Sequence, residues 1–262
     1  MAGKNAIELK GVSKSYGERA GVLDHVSLDI AQGEFLTIVG PSGSGKTTLL
    51  RLINRLADPT SGNVRVGETD IRETDPILLR RRIGYVFQGV GLFPHMTVAE
   101  NIAITPRLIG WDEAKRAARV DELLRLVRLD PEQYRARLPA ELSGGERQRI
   151  GVARALAAEP KIVLMDEPFG ALDALTRDAL QRDYRELHEK LGLTTVMITH
   201  DLTEAALLAD RIAVIHRGKI VEQGTPREIM TAPKDAYVRE LVETPKSQAE
   251  RLAALMRNGG AT

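Results

Sequence analysis

Cysteine is absent from this 262-residue chain, which excludes disulfides, thiolate metal sites and a cysteine nucleophile. Neither sign of charge is in excess, because 37 Lys and Arg residues face 36 Asp and Glu and the formal net charge is +1. This near-neutrality removes the general electrostatic case for nucleic-acid binding and leaves only a local basic patch as an alternative, so we expect no nucleic-acid partner. No apolar run approaches the roughly 18 residues of a membrane-spanning helix, and the first residues show no signal-peptide pattern.

The composition that remains is that of an ordinary globular protein, with 43% hydrophobic and 28% charged residues. This apolar content is sufficient for a sizeable core. At roughly 150 residues per domain, the length fits one large or two small domains. The sequence shows no low-complexity tract and no internal repeat, so we expect a folded, non-repetitive protein.

Short apolar runs predict a parallel sheet in the core. Glu34 to Val39, Lys161 to Met165 and Thr194 to Ile198 are compact runs, typical of strands covered on both faces. Alternating apolar and polar residues between positions 6 and 30 predict short, half-buried strands near the N-terminus. A later hairpin has its turn at Arg217-Gly218. These patterns together favour a sheet-based core.

Helical periodicity follows the first compact strand, from Lys46 to Leu56, and returns in a more charged stretch. Asp112 to Asp130 carries its apolar residues on one stripe. We therefore expect a helical subdomain, at about 90–157, inserted into the α/β core. An amphipathic stripe after Pro245 predicts a short helical tail at 246–262.

A glycine-rich segment, GPSGSGKTT, stands between a predicted strand and a predicted helix, which is the context in which GxxxxGK[ST] binds phosphates. Gly43 and Gly45 let the backbone curl so that N–H groups point at the phosphates, and the helix adds its positive dipole end. Lys46 supplies a charge for the β- and γ-phosphates, and the Thr47 hydroxyl can ligate Mg²⁺. The predicted nucleotide-binding residues here are Gly40, Pro41, Ser42, Gly43, Ser44, Gly45, Lys46, Thr47 and Thr48.

Polar side chains follow the neighbouring predicted strands. Asp166 and Glu167 end an apolar run at the sheet edge where ligands bind, so Asp166 would hold Mg²⁺ and Glu167 would polarise the attacking water. Gln88 follows GYVF, and its amide could reach both Mg²⁺ and that water. His200 follows TTVMIT, where a histidine can also be satisfied by its local surroundings. The catalytic candidates are thus Glu167, His200 and Gln88, and the metal candidates are Thr47, Gln88 and Asp166.

Residues 142–148, LSGGERQ, resemble the signature motif of the ATP-binding-cassette (ABC) family, which other phosphate-loop ATPases lack. The resemblance covers essentially the whole chain and includes each expected element in order. It implies an α/β fold, with a phosphate-loop NTPase core of mainly parallel sheet, an N-terminal antiparallel β subdomain and the inserted helical subdomain. A nucleotide-binding domain would occupy residues 1–245, followed by the tail at 246–262.

The resemblance also implies roles for residues outside the phosphate loop. Tyr16 resembles the aromatic that stacks on adenine, although a strand tyrosine packed at an edge is the alternative. Gln88 resembles the residue that links the nucleotide to a transporter's membrane part, and Ala171-Leu172-Asp173 the loop that joins two sites across a dimer. His200 resembles the switch histidine at the γ-phosphate. The residues expected to contact the γ-phosphate held by an opposite subunit are Ser143, Gly144 and Gly145.

The family's assembly implies partners. Its phosphate loop and signature belong to opposite ends of one subunit, so a head-to-tail homodimer would sandwich two ATP molecules with Mg²⁺. The chain resembles the motor subunit of a bacterial importer, at the cytoplasmic face of the inner (cell) membrane. Transmembrane permease subunits would be direct partners, and a periplasmic or lipid-anchored substrate-binding protein an indirect one. A soluble cassette in translation or repair is the alternative, and the single cassette without a long heptad segment disfavours it.

The segment from Gly84 to Trp111 resembles motors that import osmoprotectants such as glycine betaine and other quaternary amines. A motor for another small solute, an amino acid or an organic anion, stays open because the solute does not touch this subunit. Gln88 to His95 would form much of the groove that receives a cytoplasmic helix of the membrane subunit.

Overall fold

The computed structural model describes residues 4–17 and 19–258, in which the strands form two sheets. The strands are β1 (Asn5–Tyr16), β2 (Arg19–Ala31), β3 (Phe35–Val39), β4 (Ser61–Val66), β5 (Thr69–Asp70), β6 (Ile83–Val86), β7 (Ile162–Asp166), β8 (Thr194–Thr199), β9 (Arg211–His216) and β10 (Lys219–Gly224). The helices are α1 (Lys46–Ile53), α2 (Pro76–Arg81), α3 (Val98–Leu108), α4 (Glu113–Leu126), α5 (Pro131–Tyr134), α6 (Gly144–Leu156), α7 (Ala174–Leu191), α8 (Leu202–Leu208), α9 (Pro226–Thr231) and α10 (Ala236–Asn258).

The larger sheet confirms the predicted α/β core. Its order is β10-β9-β3-β8-β7-β6, and each neighbouring pair is parallel except the hairpin of β9 and β10. The strands β3, β7 and β8 are buried along their whole length. Strands covered on both faces need apolar residues at every position, which explains their continuous apolar runs.

The smaller sheet is antiparallel, with the order β2-β1-β4-β5. The short strands expected between positions 6 and 30 are instead two long ones, β1 of 12 residues and β2 of 13. Register shifts, one of them between Leu9 and Val12, interrupt their pairing without ending it. Irregularities of this kind let a long strand pair bend and twist while it stays together.

The predicted helical subdomain lies between β6 and β7 in the chain and comprises α3, α4, α5 and α6. Buried residues of three of these helices, Ile102, Leu124 and Ile150, belong to one apolar cluster. That cluster continues onto the larger sheet through Phe35 and Met165. The insertion therefore shares a core with one face of this sheet.

The C-terminal helix α10 starts before Pro245 and continues through it. Val238 and Val242, in its first turns, are buried in a cluster with Val39 and Ile229, so this part packs on the main body. The predicted boundary between a domain at 1–245 and a tail at 246–262 thus falls inside one helix, and 259–262 lie outside the described residues. No helix of the described part of the chain is long and apolar enough to span a membrane.

Candidate functional site

The phosphate loop connects β3 to α1 and passes close to the backbone of β2 and β9. Gly43 and Gly45 have φ angles of +77° and +105°, in the left-handed region that favours glycine. A Cβ atom on Gly45 would lie 2.7 Å from the carbonyl oxygen of Val22, and one on Gly40 would collide with the carbonyl oxygen of Ile215. Side chains at these positions would therefore displace the loop.

Lys46 is buried inside this loop, with 5% of its surface exposed. Its ammonium group donates to the carbonyl oxygens of Gly40, at 2.7 Å, and Pro41, at 3.0 Å. Burial lowers the pKa of Lys46, an effect opposed by the carboxylates of Glu167 and Asp166. An ammonium group has three donors, so the third is free for a phosphate oxygen.

Asp166 is the last residue of β7 and lies beside the start of α1. The Thr47 hydroxyl donates to its Oδ1 atom at 3.4 Å. Burial, followed by the charge of Glu167, raises the pKa of Asp166, whereas the Thr47 hydrogen bond and the charges of Arg51 and Lys46 lower it. A bound cation would relieve the repulsion between the two carboxylates.

The donor set at this edge fits Mg²⁺, which prefers oxygen ligands and usually keeps substrate phosphates among them. Asp166 offers a carboxylate, Thr47 a hydroxyl and Gln88 an amide oxygen. The described residues contain no cluster of three or more His, Asp and Glu side chains able to hold a metal by themselves. A cation here would complete its coordination with water or phosphate oxygens.

Two side chains converge on the Glu167 carboxylate. Its Oε2 atom lies 3.4 Å from Nε2 of Gln88 and 3.2 Å from Nδ1 of His200. Glu167 itself has a φ angle of +43°, which is uncommon for a residue other than glycine, and its N–H donates to the Ile198 carbonyl oxygen at 3.1 Å. The three predicted catalytic residues thus meet, each directly or closely following a different strand of the larger sheet.

An open cleft of about 770 Å³ lies over the phosphate loop. Tyr16, at the end of β1, lines it and exposes 43% of its surface. The Lys14 ammonium group lies 4.7 Å from the centre of the Tyr16 ring. This exposure does not support the alternative of a packed edge tyrosine, since an exposed ring at a cleft is available for stacking. The predicted residues that line this cleft are Tyr16, Ser42, Gly43, Gly45, Lys46, Thr47, Thr48, Gln88 and Glu167.

The signature residues lie elsewhere. Ser143 caps α6, with its Oγ atom accepting from the Glu146 N–H and the Glu146 carboxylate accepting from the Ser143 N–H. A Cβ atom on Gly145 would lie 2.6 Å from Cγ2 of Thr176 in α7, so α6 and α7 approach closely here. Among the described residues that line the cleft, Ser143, Gly144 and Gly145 are not found.

Comparison with known proteins identifies the family. Residues 23–170 match the family model described as ABC transporter. The chain belongs to this family. It is 52% identical over 236 residues to the glycine betaine/carnitine/choline transport ATP-binding protein OpuCA of Bacillus subtilis, covering 90% of this chain and 62% of that relative. It thus spans less than two thirds of OpuCA.

Two further comparisons agree with this assignment. The choline transport ATP-binding protein OpuBA of Bacillus subtilis is 48% identical over 256 residues, covering 95% of this chain and 67% of OpuBA. A dimeric, post-hydrolysis structure of the ATP-binding cassette MJ0796, bound to ADP and Pi, superimposes with a TM-score of 0.76 at 36% identity. The match covers 84% of this chain and 99% of that one, so the ABC cassette fold is shared.

Sequence reasoning missed part of this ABC cleft. Arg217 and Gly218, in the turn between β9 and β10, line it together with Arg51. The Gly218 N–H donates to the carbonyl oxygen of Ser44 at 3.1 Å, and its own carbonyl oxygen accepts from the Asp24 N–H at 2.9 Å. The turn was visible in the sequence, but its contact with the phosphate loop joins distant parts of the chain, and no local pattern signals it.

Proposed function

We propose that this chain is the ATP-hydrolysing motor subunit of a bacterial importer for osmoprotectants, such as glycine betaine or other quaternary amines. The observation that carries ATP hydrolysis in this proposal is the convergence of Gln88 and His200 on the Glu167 carboxylate, beside the phosphate loop. The names of OpuCA and OpuBA support the class of solute.

In the proposed reaction, water attacks the γ-phosphate of ATP and the bond to the bridging oxygen breaks, giving ADP and phosphate. The Glu167 carboxylate accepts the proton of the attacking water. Gln88 and His200 orient that carboxylate, while Lys46 and the N–H groups of the phosphate loop bind the phosphate oxygens.

Thr47, Asp166 and Gln88 would hold Mg²⁺, whose chemistry when bound is to neutralise charge on the phosphates. The Nε2 atom of Gln88 is directed at Glu167, which leaves its Oε1 atom for the cation. Burial and the charge of Glu167 raise the pKa of Asp166, and a bound cation would oppose both effects.

The active assembly would be a head-to-tail homodimer. The first N–H groups of α6 have no partner inside their helix, and together with the Ser143 hydroxyl they suit an anion. They lie outside the cleft of their own chain, so a phosphate bound there would have to reach them from a second subunit. The dimeric form of the MJ0796 cassette supports this arrangement.

A groove of about 490 Å³ beside Gln88 would receive a cytoplasmic helix of a permease subunit, at the cytoplasmic face of the membrane. Phe87, Phe93 and Leu108 line it and expose 45%, 40% and 57% of their surfaces. Exposed apolar side chains gathered in one groove are typical of a partner surface. Leu92, in the same predicted segment, instead packs partly buried against the core.

The proposal is tested by purifying tagged Glu167→Gln protein with ATP from its native membranes and identifying the accompanying chains by mass spectrometry. We expect a multi-span membrane protein together with a periplasmic or lipid-tethered binding protein. The matched control is tagged Lys46→Ala, which should purify with the permease to the same extent with and without ATP. Ribosomal or repair proteins without a membrane chain would overturn the transport function. Titration of the binding protein with glycine betaine, choline, an amino acid and an organic anion then decides the solute.

A further inference from the structure

The loop after Gln88 has an unusual backbone. Gly89, Val90 and Gly91 all have positive φ angles, of +73°, +67° and +56°. Two of them are glycines, but a β-branched residue in the left-handed region is an outlier that the surroundings must maintain. The Val90 N–H donates to the Phe87 carbonyl oxygen at 3.0 Å, which folds the loop tightly around Gln88.

A single side chain of α6 holds this loop. The guanidinium of Arg154 donates from one terminal nitrogen to the carbonyl oxygen of Val90, at 2.7 Å, and from the other to that of Gly91, at 2.6 Å. Arg154 is 8% exposed, and no carboxylate of the described residues acts on its guanidinium, whose pKa is lowered by burial. Burying a guanidinium is costly unless its donors are satisfied, so the two carbonyl oxygens are essential to its placement.

The same helix also shapes a space for the Val90 side chain. Val90 is 9% exposed, and a Cβ atom on Gly151 would lie 2.7 Å from its Cγ1 atom. Gly151 and Arg154 are three positions apart, so they lie on the same face of α6. Gly151 therefore leaves room for the valine side chain, and Arg154 holds the carbonyl oxygens of the two consecutive residues Val90 and Gly91.

We propose that Arg154 is a positioning residue that acts from α6 on the loop after Gln88, so that the Gln88 amide faces the Glu167 carboxylate. This inference rests on the proposed roles of Gln88 and Glu167 in hydrolysis. Arg154 touches neither nucleotide nor the attacking water in this proposal.

The first test is a double-mutant cycle in ATPase activity with Arg154→Lys and Gln88→Ala. Lysine retains the charge but lacks the fork that reaches two carbonyl oxygens at once. We expect Arg154→Lys to lower kcat on the order of tenfold to a hundredfold, with KM for ATP nearly unchanged. In the Gln88→Ala background, the same change should lower kcat little further.

Arg149→Lys is the matched control. Arg149 is on the same helix and also donates to a backbone carbonyl oxygen, that of Val127 at 2.9 Å, but it does not contact the loop after Gln88. Its kcat should stay at the wild-type value. If the kcat losses of the two single variants multiply in the Arg154→Lys/Gln88→Ala double variant, Arg154 acts independently of Gln88 and the positioning role is overturned. Wild-type kcat in Gln88→Ala alone would instead remove the proposed role of Gln88, and the inference with it.

If Arg154→Lys fails to fold, a steric rescue at Gly151 and Val90 tests whether kcat depends on the position of the loop. Gly151→Ala places a methyl group against Val90 and should lower kcat by displacing the loop. Val90→Ala removes the colliding atom, so the Gly151→Ala/Val90→Ala double variant should recover the kcat of Val90→Ala alone. Wild-type kcat in Gly151→Ala, or a double variant no better than Gly151→Ala, would contradict the proposal.

Discussion

The Oε2 atom of Glu167 lies 3.2 Å from Nδ1 of His200, although 33 positions separate the two residues in the chain. Glu167 directly follows β7 and His200 directly follows β8, which are parallel neighbours in the larger sheet. Parallel pairing places the carboxyl ends of the two strands side by side. The contact therefore depends on the sheet, and it orients the side chain proposed to accept a proton.

Replacing Glu167 by glutamine separates binding from hydrolysis. Glutamine preserves the shape of the side chain but cannot accept the proton, so we expect hydrolysis to fall about 10²- to 10⁴-fold while ATP still binds. A dimer closed around ATP should then persist and elute earlier on a sizing column. The exposed Glu186→Gln serves as a control that should turn over normally and stay monomeric. A Glu167→Gln protein that remains monomeric with saturating ATP would count against the sandwich.

Mixing two inactive variants tests whether each site is shared between chains. Lys46→Ala removes the buried phosphate-binding charge. Gly144→Asp puts a carboxylate where an anion should bind, and a Cβ atom at Gly144 has room, with its nearest neighbour, Cδ2 of Leu172, at 3.8 Å.

Each variant alone should be inactive, whereas a mixed dimer contains one site with both parts intact. Up to about half of the composite sites in those mixed dimers should therefore be active. Phosphate release from the mixture measures this recovered activity. Lys10→Ala keeps the phosphate-binding lysine, so its mixture with Gly144→Asp shows how far an inactive chain dilutes the activity of an active one. A mixture as inactive as its components would show that phosphate loop and signature act within one chain.

Tyr16→Ala should weaken ATP binding more than it slows turnover. A base stacked on an aromatic ring is stabilised by about 1–3 kcal/mol, so we expect an affinity loss of roughly 5- to 150-fold with kcat nearly unchanged. Tyr16→Phe retains the ring and should bind almost as well as wild type. Calorimetric titration with ATP measures the affinity of both variants. Equal affinity in Tyr16→Ala and wild type would remove the stacking role of Tyr16.

Asp166→Asn should stabilise the fold while it impairs hydrolysis. Burial and the charge of Glu167 raise the pKa of Asp166, so the native state binds its proton more tightly than the unfolded chain. The stability from this difference is fully present below the unfolded value, near 3.8, and is lost as the pH rises through the native pKa. At neutral pH the ionised carboxylate therefore destabilises the native state.

Thermal unfolding measured against pH checks this prediction. Asp166→Asn should raise Tm at pH 7, by about 2–4 °C for each kcal/mol, and the gain should shrink as the pH falls towards 3.8. Asp178→Asn, at an exposed position on α7, should leave Tm almost unchanged. A lower Tm for Asp166→Asn at pH 7 would show that the Thr47 hydrogen bond outweighs the burial and repulsion.

The sequence predicted the phosphate loop and its roles because that chemistry is local. Nine consecutive residues contain the glycines, the lysine and the hydroxyls, and the flanking strand and helix have clear apolar periodicity. The larger sheet was predictable for the same reason, since strands buried on both faces are continuously apolar. The roles of Tyr16 and Ser143 came from family resemblance and not from local pattern.

Local pattern was a poor guide to the lengths of β1 and β2 and to the start of α10. Pairing across the smaller sheet extends β1 and β2 through their irregularities, and packing of Val238 and Val242 begins α10 before Pro245. Tertiary contacts outweigh local preference at each of these places.

By itself, the sequence determined the family, and it predicted the nucleotide-binding loop and the acids and histidine that we propose to act on ATP. Only the tertiary structure decided that Gln88 and His200 meet at Glu167, that the turn at Gly218 supports the phosphate loop, and that Arg154 holds the loop after Gln88. The physical reason is that motifs record local chemistry. Contacts between residues distant in sequence depend on how strands pair and helices pack, which no short stretch of the chain contains.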